Sequence, residues 1–71
     1  MMKPSEQASE IGEIVSRLSR QGWSAREVAF NEVSGSPLWI VLGRKDRVKI
    51  QQASRSRVEA WRLTLEQVEG R

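Results

Sequence analysis

Apolar residues recur at two different spacings along this chain, and the changes of spacing mark its elements. Ile11, Ile14, Val15 and Leu18 fall at i, i+3, i+4 and i+7. That is one stripe on a 3.6-residue period, which predicts a helix over residues 6–20. Ser5, after Pro4, reads as its N-cap and Gly22 as a left-handed terminator. Glu6 and Glu10 near the start, and Arg17 and Arg20 near the end, suit the helix dipole. From Arg26 to Val33 the spacing falls to two, with Val28 and Phe30 on one face and Glu27, Ala29 and Asn31 on the other. Ser34-Gly35-Ser36-Pro37 is a turn by composition. Leu38-Trp39-Ile40-Val41-Leu42 is wholly apolar and predicts the central strand, over 38–43. Gly43-Arg44-Lys45-Asp46 reads as a tight connection into a third strand over 47–52, where Val48 and Ile50 alternate with Lys49 and Gln51. Val58, Trp61, Leu65 and Val68 then form a second helical stripe, in a helix over 54–68 that ends near Gly70.

Short connections between the strands predict an antiparallel meander. The fold class is α+β, one small domain over 1–71 in the order α-β-β-β-α. Both helices pack on one face, because a three-stranded sheet needs such cover. At 71 residues the chain buries roughly 60 % of its unfolded surface, so each apolar position counts.

Composition removes most chemistry. There is no Cys and no His. Disulfides, thiolate metal sites, cysteine nucleophiles and imidazole bases are therefore excluded. The closest carboxylate pairs, Glu10 with Glu13 and Glu66 with Glu69, lie on solvated helix faces rather than in a cleft. The expectation is a non-enzymatic protein without cofactor or metal. No apolar run is long enough to span a membrane, and Met1-Met2-Lys3-Pro4-Ser5-Glu6 lacks the apolar stretch of a signal peptide. A cytoplasmic protein is expected.

Charge is informative because it is uneven. Residues 1–20 sum to zero, residues 21–43 to −1 and residues 63–71 to −1, whereas residues 44–62 carry seven cations and two anions, or +5, within a net +3. A focused basic segment is the electrostatic footprint of a polyanion-binding protein, so RNA or DNA is the expected partner. The candidate phosphate ligands are Arg55 and Arg57 at the start of the second helix, and Arg44, Lys45, Arg47 and Lys49 around the second turn. These two groups lie at opposite ends of the sheet, separated by a strand length of ~17–20 Å. In the last helix Arg55 and Arg57 stand first and Glu66 and Glu69 last, against the dipole. Such a start suits an anion site. The alternative is a solvated ladder, since Arg55, Glu59, Arg62, Glu66 and Glu69 share one stripe.

The remaining candidate is the open face of the sheet. If Leu38, Ile40 and Leu42 join Val28, Phe30, Val48 and Ile50 under the helices, then Trp39 and Val41 point outward. They would form a surface for a second copy, for another protein, or for stacked bases. An all-apolar strand does not reveal its own facing, and the alternative places Trp39 in the core.

This order of elements resembles the double-stranded RNA-binding domain. Ser34-Gly35-Ser36-Pro37-Leu38 is similar to that family's Gly-Pro loop between its first two strands. Ser54-Arg55-Ser56-Arg57-Val58-Glu59 stands where the family has a Ser-Lys-Lys-x-Ala-Lys helix start that binds phosphates across a groove. The basic positions match at Arg55 only, with Ser56 and Glu59 replacing lysines. The resemblance implies the α-β-β-β-α fold, and RNA as a partner.

Overall fold

The structure is a computed structural model that describes residues 4–31, 35 and 37–70. Its elements are α1 (Pro4–Arg20), β1 (Ser24–Asn31), β2 (Pro37–Lys45), β3 (Val48–Ser54) and α2 (Arg57–Glu69). The strands form one antiparallel sheet in the order β1-β2-β3. Both helices cover the same face, which is the α+β arrangement expected from the periodicities.

α1 opens at Pro4, so Ser5 stands inside its first turn rather than ahead of it. Proline suits that first turn, where an amide N–H has no helical partner. The far end closes as the charge and glycine pattern predicts. Gly22 has φ +88°, the Gly22 amide donates to the Ser19 carbonyl (3.0 Å) and the Trp23 amide to the Leu18 carbonyl (2.9 Å). These paired bonds satisfy the last carbonyls and deliver Trp23 onto the core beside Leu18.

The turn between β1 and β2 lies largely outside the described residues. Its one described member, Gly35, has φ +98°. The second connection differs from expectation. Gly43, Arg44 and Lys45 belong to β2, and the last pair, Lys45 with Val48, leaves a turn of Asp46 and Arg47. Asp46 takes the positive φ (55°), which Asp tolerates better than most residues. Gly43 serves packing instead. A Cβ there would lie 2.8 Å from Ile50 Cγ1, and Trp23 closes the same space.

Strand facing is opposite to the expected orientation. Val41 is fully buried in the helix-covered core with Ile11, Ile14, Leu18, Val58, Ala60 and Trp61, and Trp39 packs against them. By the alternation along each strand, Ala25, Glu27, Ala29, Gly43, Ile50 and Gln52 share that covered face. Leu38, Ile40, Leu42, Val28 and Phe30 therefore lie on the open face, with Val28 42 % and Phe30 57 % exposed. Ile50 alone of the expected inward set on the outer strands is buried, while Val48 runs past the helices and is exposed.

α2 begins after Ser56, whose hydroxyl accepts from the Glu59 amide (3.4 Å) as N-cap. Arg55 thus precedes the helix and Arg57 is its first residue. Thr64, fully buried, donates its hydroxyl to the Ala60 carbonyl one turn back (2.9 Å), so its burial leaves no unpaired group.

Candidate nucleic-acid interface

The start of α2 is occupied from within the fold. Arg57 Nε donates to both carboxylate oxygens of Glu27, at 3.0 Å each, and its guanidinium lies 5.5 Å from the Trp39 ring centroid. Trp61 Nε1 donates to the same carboxylate at 2.9 Å. Glu27 is on the covered face, and these two donors compensate its removal from water. Ser56 Oγ meanwhile takes a backbone N–H that an anion would use. Arg57 thus makes a specific contact, but its acceptor is Glu27 rather than an external anion.

The charge stripe of α2 stays exposed to water, but it lines the seam with α1 and pairs across it. Arg62 pairs with Glu10 through Nε and through Nη2 (2.9 Å to Oε1), and lies 3.6 Å from Glu59. Arg17 pairs with Glu69 at 2.7 Å, and Gln21 Nε2 adds a bond to Glu69 at 2.9 Å. The partners advance together, from 10 to 17 on α1 and from 62 to 69 on α2, so the helices run parallel. Parallel helices set their dipoles side by side with like ends adjacent. Charges that oppose the dipole of α2 are therefore the complements of those that suit α1. The hydrogen bond and charge of Arg62 hold the Glu10 carboxyl below its ordinary value, and those of Glu10 raise Arg62. A groove of about 860 Å³ follows this seam, but it carries Glu10, Glu13, Glu59 and Glu66 against Arg17 and Arg62, an unfavourable lining for phosphate.

The open face has the opposite character. Cross-strand rows place Ser24 beside Arg44 and Lys49, then Arg26 beside Leu42 and Gln51, then Val28 beside Ile40 and Ala53, and Phe30 beside Leu38. One end of the face is basic and the other apolar, and no carboxylate stands on it among the described residues. A shallow depression of about 640 Å³ lies at the basic end, lined by Arg26, Leu42, Arg44, Lys49 and Gln51.

The chain matches no family model, no curated protein and no solved structure.

The structure brings Arg44 and Lys49 of the expected ligands together as neighbours in one row, with Arg47 in the adjoining turn. Lys45 points to the covered side, with its chain alongside Gly22. Arg55 and Arg57 stand beyond the opposite end of β3. Trp39 and Val41, expected as an outward surface, are covered by the helices, and the apolar surface is made by their neighbours in sequence. Sequence reasoning missed Arg26 and Phe30. The strict alternation Arg26, Val28, Phe30 already put them on one face; what was lacking was a signal for which side the helices take.

Proposed function

We propose that this protein is a non-enzymatic nucleic-acid-binding domain whose polyanion surface is the basic end of the open sheet face. The observation that carries the reading is the clustering of Arg26, Arg44 and Lys49 on adjacent rows, with Arg47 beside Asp46 at the turn and no carboxylate on the open face of the strands among the described residues. Three or four cations on one rigid sheet release counterions on binding a phosphate backbone, which gives sequence-independent affinity. The double-stranded RNA-binding-domain resemblance is consistent with a nucleic-acid role in element order. However, the helix start it would use has Arg57 bound to Glu27.

Titration of labelled oligonucleotides at low and at physiological salt tests this. Binding that weakens steeply with salt, and that Arg44→Glu/Lys49→Glu abolishes while the circular dichroism spectrum is unchanged, is the expected result. Undiminished binding by that variant, or no binding at low salt, overturns it.

A second reading rests on the apolar end of the same face. Val28, Phe30, Leu38, Ile40 and Leu42 form a contiguous patch suited to another protein or to a second copy. Concentration-dependent mass in sedimentation would favour it.

A further inference from the structure

We infer that the nucleic acid taken by this face is single-stranded, with its phosphates on the Arg26, Arg44 and Lys49 end and its unpaired bases on the Phe30 end. This rests on the nucleic-acid reading above and adds the class of ligand. The face is neither uniformly basic nor uniformly apolar, and its two halves make different demands. Rows 44, 42, 40 and 38 of β2 run from one to the other over about 20 Å. A duplex offers phosphates, sugars and only the edges of its bases in the grooves, because the ring faces are stacked inside. Seated here, it would lay charged backbone on Val28, Ile40, Leu38 and Phe30. A single strand offers both things at once, phosphates on one edge and flat apolar rings on the other. Phe30 supplies the stacking surface. Among the described residues it is the only aromatic on this face, 57 % exposed, since Trp39 and Trp61 belong to the covered side and Trp23 packs against its core.

A second copy fits less well. Two copies laid face to face would bring cations onto cations or onto apolar side chains, with no carboxylate on that face among the described residues to receive them.

The test uses the whole chain with fluorescein-labelled oligouridylate, oligothymidylate and a duplex of equal length, read by anisotropy, on wild type and Phe30→Ala. The exposed position of Phe30 lets the variant fold, which its thermal unfolding curve checks. Single strands are expected to bind at least ~10-fold tighter than the duplex, and Phe30→Ala to weaken single-strand binding by roughly 5- to 100-fold while leaving duplex binding unchanged. Tryptophan emission is expected to change little, because no Trp lies on the binding face. Equal or tighter duplex binding, or an inert Phe30→Ala, overturns the single-strand inference and leaves the polyanion reading standing. Failure of all three probes at low salt overturns both. A dimer of the free protein that Phe30→Ala dissolves also overturns it, since the face would then belong to a second copy.

Discussion

Glu27 is the residue on which the orientation of the sheet turns. A carboxylate on a strand reads as solvent-facing, and the apolar pair Val28 and Phe30 beside it reads as core. The structure inverts both, because Arg57 and Trp61, one helical turn apart on α2, reach the carboxylate together. With Glu27 satisfied, small Ala25 and Ala29 leave room beneath the helices, and the larger Trp39 and Val41 of the central strand fill it. Glu27→Ala should therefore destabilise the protein by about 1–3 kcal/mol in urea unfolding, since it strands the indole N–H of a buried Trp61. Glu27→Gln, which keeps an acceptor, should lose less. Equal losses would mean that shape rather than hydrogen bonding is what the site needs. Gly43 shares its face with Trp39 and Val41, and its missing side chain makes room for Ile50 in the neighbouring strand.

At the level of elements, the helices interpret one another's charges. In isolation α2 carries its cations and anions at the wrong ends. Beside a parallel α1 the same pattern gives Arg62 to Glu10 and Glu69 to Arg17. Glu10→Lys should lower the melting temperature, and Arg62→Glu on top of it should recover part of the loss; no recovery would show that the pair is not coupled. The sign of the pH dependence follows from the depressed Glu10 carboxyl. Its contribution is fully present above the ordinary glutamate range and is lost as pH falls through the lower, folded-state value. The stability gap between wild type and Glu10→Gln should accordingly close in acid and be open at neutral pH. A gap that widened in acid would contradict the pairing. The two faces of the sheet are separable in the same way. Trp39→Ala should cost about 3 kcal/mol, whereas Phe30→Ala, with more than half its surface in water, should cost far less. Comparable losses would refute this facing.

For the whole molecule, the distribution of charge matters more than its sum. Of the seven cations in residues 44–62, Arg57 and Arg62 are paired inside the fold, and the hairpin cations are separated from Arg55 by the length of β3. A net +3 thus resolves into an acid-lined seam between the helices and a basic half-face on the other side of the sheet. Polyanion binding should therefore follow only the second. The slope of log affinity against log salt for a single strand should be roughly −2 to −3, as three or four phosphate contacts give, and should fall by about 0.7 for each of Arg44 and Lys49 removed. Arg57→Ala should leave that slope unchanged while lowering stability. A reduced slope in Arg57→Ala would return the site to the start of α2.

Periodicity alone was sufficient for the elements and their order. Spacings of 3.6 and 2 are local properties, visible in Ile11, Ile14 and Leu18 or in Val28 and Phe30, and Gly22 could be read as a stop because a positive φ is a one-residue requirement. The same local view placed one tight turn at Gly43 when the chain turns at Asp46, since a missing Cβ serves close packing as well as turning. Facing was out of reach. An uninterrupted apolar strand has the same period on both sides, and the side that is covered depends on where Arg57 and Trp61 meet Glu27, residues 30 and 34 positions apart in the chain. Which cations remain available to a ligand depends on those same long-range partners, so the candidate surface came into view only once the helices were packed on the sheet.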